Sequence, residues 1–364
     1  MSLPPDVTLI DEPLAGRVLR LASPSYPVTY PDITHREVIP RDVLGAMEQS
    51  FTRGRMPVRP VTFFHLKDVY VSAEGLVFDR DLRLYQSTVT QHPPRQVAEA
   101  LQALRAGRAA GNIPAHAGPV LLAKKIGSFN YGHWMLEMLP RVLLAKENLG
   151  ITGLRYLVHE LAAPMRGVID ETLQIAGVAP GEILRTGNEP HYFSDLIIVD
   201  GLSEHGLYMS PLCVATLERF AARVRTGPSE RIFVTRRSAR WRRFREEEAL
   251  HDIAQRAGYS LVDPGEMPVA QQIMVFKGAR RIAGITGAGL SNIAFAAPGA
   301  AVRMFVPRSM PDTFFWLISQ IREHGYAELR CAEVGMPPVD SVVHPSWNCD
   351  ITISPAAFRR FIEA

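Results

Sequence analysis

The stretch RIFVTRRSARWRRFREEEALHDIAQRAGYSLV, residues 231–262, decides the fold. Arg231-Ile-Phe-Val-Thr235 is a short apolar run of β-branched and aromatic residues, the pattern of a buried strand. Glu246 to Ala257 then carries Leu250, Ile253, Ala254 and Ala257 on one face of an amphipathic helix. The acids Glu246, Glu247 and Glu248 suit the positive end of that helix, and Gly258 suits its stop. Ser260-Leu-Val262 is the next strand. Downstream the rhythm continues with a helix at Val269–Phe276, a strand at Arg281–Ile285, a glycine loop, a strand at Ala301–Val306 and a helix at Thr313–His324. Ser354-Pro355 then open a short last helix, Ala356–Ile362. Strands alternating with helices predict a mostly parallel sheet covered by helices.

Upstream lies an earlier copy of the same rhythm. Val120-Leu-Leu-Ala123 reads as a strand, about Tyr131 to Leu149 as a helix, and Arg155-Tyr-Leu-Val158 as a strand. Met165–Ile175 is a helix before Gly177, and Leu196-Ile-Ile-Val199 is a fully apolar strand. The first third differs: Val69–Ser72, Leu76–Phe78 and Leu82–Tyr85 suggest a meander, followed by one helix from Gln96 to Gly107. Residues 223–230, rich in turn formers, read as a linker. The expected architecture is α/β, with two Rossmann-like domains facing a cleft. The first is 1–225, β-rich over 1–115 and Rossmann-like over 116–225; the second is 226–364, its last helix free to pack back on the first.

Composition narrows the classes of function. Of 364 residues, 47% are hydrophobic and 21% charged, as in a packed globular chain rather than a disordered one. Forty Lys and Arg against 37 Asp and Glu leave a net charge of +3, which excludes a polycation binding nucleic acid through its overall field. Three scattered cysteines, Cys213, Cys331 and Cys349, with no C-x-x-C spacing, argue against a disulfide framework or a zinc knuckle. The start lacks the apolar core of a signal peptide, and there is no Asn-x-Ser/Thr sequon. Ile282–Val302 is uncharged and long enough to span a bilayer, but its glycines and Pro298 point to a strand, a loop and a short helix. A cytoplasmic protein is expected, with peripheral attachment to the inner face of the plasma membrane through a basic surface left open.

Three segments could carry chemistry. Thr286-Gly-Ala-Gly-Leu-Ser-Asn292 sits between a strand and a helix; Gly287 and Gly289 allow close backbone approach, and the following N–H groups suit a phosphate. A tight structural connection would look the same. Arg236-Arg-Ser-Ala-Arg-Trp-Arg-Arg-Phe-Arg245 holds six arginines in ten residues at the carboxyl end of a strand, where open α/β sheets bind ligands. Guanidinium groups grip diphosphates bidentately; Arg236 and Arg237 leave the strand first, whereas Arg240, Arg242 and Arg245 read as surface. In Asn130-Tyr-Gly-His-Trp-Met-Leu-Glu-Met-Leu-Pro-Arg141, a helix would put His133 and Glu137 on one face as a base and its orienting partner. Pro140 inside this pattern should kink the helix or end its first part. Asp79-x-Asp81 has the look of a metal–diphosphate motif, but between two short strands it reads as a turn.

Together NYGHWMLEMLPRV (130–142), RIFVTRRSARWRRFREEEAL (231–250) and PGEMPVAQQIMVFKGARRIAGITGAGLSNIAFAAPGA (264–300) resemble glycosyltransferase family 61. That family includes bacterial polysaccharide-associated members and eukaryotic xylosyl-, arabinosyl- and N-acetylglucosaminyltransferases. The likeness runs from about Val61 to Pro307; Thr286 stands where many relatives carry His, and Arg245 where many carry Asn. The resemblance implies a GT-B-like fold and an inverting, metal-independent transfer of a sugar to a hydroxyl of a polysaccharide or glycan. The implied partners are a nucleotide-sugar donor, expected to be UDP-linked, and a glycan or lipid-linked glycan acceptor, with no nucleic acid and no other cofactor. Glu137 is the expected base, with His133 as its partner or as the base itself. The expected donor site is Arg236, Arg237, Arg243, Thr286, Gly287, Ala288, Gly289 and Leu290, with Glu246 steadying an arginine and Gln272 and Asn292 fixing the nucleotide by resemblance. A nucleotide-sugar epimerase, an inactive scaffold and an RNA binder using Arg236–Arg245 are the alternatives.

Overall fold

The computed structural model describes residues 3–13, 16–335 and 345–364. The chain divides into two compact units, one made of residues up to 24, 58–205 and 210–216, the other of 25–57, 206–209 and 217–364. Residues 25–57, expected with the first part, group with the second unit. Both units are mixed α/β, with ten α-helical segments among the described residues.

The first unit is built on a nine-stranded sheet. Its long strand, Val61–Ser72, turns back onto Leu76–Phe78, with Tyr70 opposite Phe78 and Ser72 opposite Leu76. On its other side it pairs antiparallel with His191–Asp200. Beyond that strand the sheet is parallel, through Ala115–Leu122, Arg155–His159 and Ile183–Thr186. The sheet is therefore mixed, where a mostly parallel one is expected, because the N-terminal meander pairs edge to edge with the parallel strands. Alternate residues of these strands, among them Leu66, Val120, Leu122, Leu157, Leu196 and Ile198, share one core cluster, as the two-residue period of a strand requires. Helix Pro94–Ala110 lays Val97, Ala100, Leu101 and Leu104 over Leu76, Phe78 and Leu84. Asp79 is a turn residue: its Oδ1 accepts from the N–H groups of Asp81 (2.9 Å) and Arg83 (2.8 Å).

The second unit has a seven-stranded sheet. Ser260–Val262, Arg231–Val234, Arg281–Ile285, Ala301–Pro307 and Gly325–Val334 run parallel in that order, and Asp350–Thr352 closes the edge antiparallel. Helix Glu247–Arg256 buries Leu250, Ile253 and Ala254, the face that the 3.6-residue period marks. Four phenylalanines, Phe233, Phe244, Phe305 and Phe358, meet with ring centroids 5.0–6.4 Å apart. The last helix, Pro355–Glu363, starts with the Ser354 hydroxyl accepting from Ala357 N–H at 3.3 Å. Phe358, Phe361 and Ile362 pack into the same cluster, within the second unit. The uncharged segment at 282–302 is the strand Arg281–Ile285, a turn and a 3₁₀ helix, Ala288–Phe295. Among the described residues no helix is long and apolar enough to cross a membrane. All three cysteines are buried and outside any disulfide among the described residues.

Candidate active site

In the first unit the chemistry gathers where adjacent parallel strands end. Lys125 follows Ala115–Leu122, and His205 follows His191–Asp200, so both leave the carboxyl edge of paired strands. Between them runs the helix that carries His133 and Glu137. Asn130 starts it, its side-chain oxygen accepting from Gly132 N–H at 2.8 Å. The expected single helix has a defect: a helical turn at Tyr131–His133, a π-turn at Trp134–Met138 and a regular helix at Leu139–Asn148. Pro140 is the cause. It has no N–H for the carbonyl four residues back, and its ring crowds that carbonyl, so the preceding turn widens and Leu139 N–H reaches Trp134 O. Trp134, fully buried, anchors the turn through Nε1 to Thr172 Oγ at 2.9 Å.

Glu137 stands at the centre of this arrangement and is wholly buried. Its Oε2 receives Lys125 Nζ at 2.7 Å and His133 Nδ1 at 2.8 Å, and its Oε1 receives His205 Nδ1 at 3.0 Å. The two imidazoles stack, with centroids 4.5 Å apart and planes at 24°. Burial alone would raise the Glu137 carboxyl, but the Lys125 ammonium and the hydrogen bonds from His133 and His205 hold it well below the usual carboxylate range. An ionised carboxylate only accepts, so each histidine donates from Nδ1 and neutral His133 carries its lone pair on Nε2. The His133 ring also lies against Gly127, where an added Cβ would come within 3.0 Å of the ring; Gly127 has φ of 86° and keeps the turn clear for the imidazole. Glu137, the expected base, has no exposed side-chain surface, whereas 17% of the His133 side chain and 30% of the His205 side chain are exposed.

In the second unit Arg236 and Gly287 leave the ends of two paired parallel strands, Arg231–Val234 and Arg281–Ile285. They meet: a Cβ at Gly287 would lie 1.7 Å from Arg236 Nη1. Gly287 is extended, with φ of 168°, so the glycine is required for space and not for its backbone conformation. Arg236 bonds the carbonyl oxygens of Trp241 and Arg242 at 2.9–3.2 Å, and burial, then the like charge of Arg242, pull its guanidinium down to about 9. Arg237 Nη2 lies 3.1 Å from His251 Nδ1. Arg243 is exposed, its N–H donating to Asp350 Oδ1 at 2.8 Å.

Other expected donor residues serve the loop itself. Asn292 Nδ2 donates to Gln272 Oε1 (2.8 Å) and to Gly289 O (3.0 Å), and Gln272 Nε2 donates to Met267 O (3.0 Å). Asn292 is fully buried and Gln272 nearly so, so these amides fix the shape of the glycine turn. Thr286 is buried and donates to Asp312 Oδ2 at 3.0 Å; Leu290 is buried, while Ala288 and Gly289 are half-buried. Among the described residues the Glu246 carboxylate pairs with no arginine and accepts from Thr352 Oγ at 2.9 and 3.0 Å. Arg242, read as surface, is half-buried with φ of 60°, its Nη1 3.5 Å from Met310 Sδ.

Residues 131–303 match the sequence model of the family Glycosyltransferase 61. The protein is a glycosyltransferase. The matched segment includes His133, Glu137, His205, Arg236 and the glycine turn, with Lys125 just before its start, and such an enzyme acts on a sugar donor and an acceptor. No curated protein matches the chain significantly.

Two features of the transferase bear on a metal. His133, Glu137 and His205 offer ligand atoms within 4.8 Å of one another, a two-histidine, one-carboxylate set. Lys125 Nζ, however, already sits 2.7 Å from Glu137 Oε2, where its charge repels a cation. A cavity of about 220 Å³ in the second unit, lined by His35, Arg308, Arg330 and Thr352 among others, includes none of the expected site residues. Neither His205 nor Lys125 stands in a sequence motif; only the strand pairing brings them to Glu137.

Proposed function

We propose that this glycosyltransferase inverts the anomeric centre without a metal, moving a sugar from a nucleotide-diphosphate donor to a hydroxyl of a free or lipid-linked glycan. The two α/β units support assignment to the GT-B class. One observation carries the reading of the base: the fully buried Glu137 is held by Lys125, His133 and His205, which leaves His133 Nε2 to take a proton. The acceptor oxygen attacks the anomeric carbon, its proton passes to His133, and the bond to the diphosphate breaks. Glu137 steadies the imidazolium so formed. The charge developing on the diphosphate calls for fixed positive groups, and Arg236 beside Gly287, with Arg237 and Arg243, supplies them.

The test is transfer from a panel of nucleotide sugars to glycan acceptors, with the product anomer read by NMR, with and without EDTA. Inverted product formed equally in EDTA is expected. Retention overturns the inverting reading, and loss of activity in EDTA restored by added metal turns the His133–Glu137–His205 cluster into a metal centre. The donor side has its own check. Gly287→Ala must displace the Arg236 guanidinium, so nucleoside diphosphate affinity should fall about tenfold or more, since a hydrogen bond to a charged group contributes about 1.5–3 kcal/mol. Unchanged affinity by calorimetry would remove Arg236 from the donor site.

A further inference from the structure

Arg141, on the helix that follows the π-turn, is a buried guanidinium whose Nε has no hydrogen-bond partner among the described residues. The carboxylates whose charge it feels are Glu137 and Asp200. Glu137 already takes Lys125 and two histidines, and Asp200 lies 3.4 Å from Arg59. Arg141 lines a narrow cavity together with Lys124, Lys125, Ser87, Thr88 and Thr90. Lys124 is almost fully buried, and its ammonium bonds only neutral oxygens, those of Thr186 and Gly187 at 2.7–3.4 Å. Arg141, Lys124 and Lys125 thus line this space, and although the charges of Asp200, Glu74 and Glu189 reach it, the only ion pair any of the three makes among the described residues is Lys125 with Glu137, a costly arrangement without a further anion.

From this cluster we infer that the cavity binds a carboxylate, the acid group of a uronic acid residue in the acceptor glycan. The inference rests on the reading of the neighbouring His133–Glu137 cluster as the acceptor side, since Lys125 belongs to both. Charge and size choose the class. Lys125 is paired with Glu137 and Lys124 is held by neutral oxygens, whereas the Arg141 guanidinium has neither an ion pair nor a partner for its Nε among the described residues, and a monoanion is the complement it lacks. The cavity volume is about 10 Å³, room for a single oxygen-sized group, so only an acid oxygen would enter it and the rest of the sugar would stay outside. A planar guanidinium and flanking hydroxyls match the in-plane lone pairs of a carboxylate.

The test measures binding to the full chain by calorimetry and thermal shift, using sodium D-glucuronate against D-glucose with equimolar sodium chloride. Glucuronate should raise the melting temperature, and glucose with chloride should not. Arg141→Gln should weaken glucuronate binding at least about tenfold. Ser87→Asp, which tethers a carboxylate at the cavity wall, should raise the melting temperature by itself and abolish the glucuronate shift; this variant decides alone if Arg141→Gln does not fold. Equal shifts from chloride, from glucose, or in Arg141→Gln overturn the inference, as does undiminished glucuronate binding to Ser87→Asp. Because binding is read without transfer, failure here leaves the assignment of His133 standing, and failure of His133 leaves this result readable.

Discussion

Substituting glutamine for His133 should slow sugar transfer by about 10²–10⁴-fold, the usual loss when a positioned base is removed. Thermal stability and nucleotide affinity should stay near those of the parent enzyme, because the imidazole is partly exposed and glutamine can still donate to Glu137. The loss belongs in kcat, since the proton is shared with His133 only as the acceptor oxygen attacks. Glu137→Gln should also lower kcat, because the neutral amide no longer stabilises an imidazolium beside it. A His133→Gln enzyme with kcat within a factor of a few of the parent would end the assignment of the base.

The second large effect is on folding. Lys125 and Glu137 are 4% and 0% exposed in their side chains, so each is the other's main compensation for lost water. Glu137→Ala should cost about 3–5 kcal/mol, because it leaves a buried ammonium unpaired. Lys125→Met should cost less, since His133 and His205 still donate to the carboxylate. The pH dependence follows in sign. The Glu137 carboxyl is depressed in the folded protein relative to its ordinary 4.5, so its contribution is complete above that value and drains away only as pH falls below it. Urea titrations at pH 7 and in steps below 4.5 should show the gap between wild type and Glu137→Gln narrowing toward acid; a gap that widened there would contradict an ionised Glu137.

Periodicity and punctuation made much of the second unit legible. Helix Glu247–Arg256 and strands Arg231–Val234, Ser260–Val262 and Arg281–Ile285 fall within a residue or two of their expected bounds, because each is a local pattern, and all but the first strand are closed by a nearby Gly258, Pro264 or Gly287. The same local signals pointed to His133, Glu137, Arg236 and Gly287. They could not say that Glu137 is sealed from solvent, nor that His205 reaches it, since that contact joins residues 68 positions apart and depends on strand pairing. The arginine run was misread where backbone geometry intervened: a left-handed Arg242 turns inward, while Arg243, beside it, faces out. Gln272 and Asn292 illustrate another limit, for an amide that shapes a loop and one that would touch a ligand have the same letter.

The widened turn at Trp134–Met138 also separates two demands that a regular helix would tie together. One additional residue in a turn shifts everything after it by about 100° around the axis. The segment before the defect can therefore keep His133 partly exposed beside Glu137 while the segment after it, Leu139–Asn148, keeps its own apolar side inward, each with its own phase. Shortening the chain by one residue within 134–136 would restore a regular helix and force one of those two orientations to be given up.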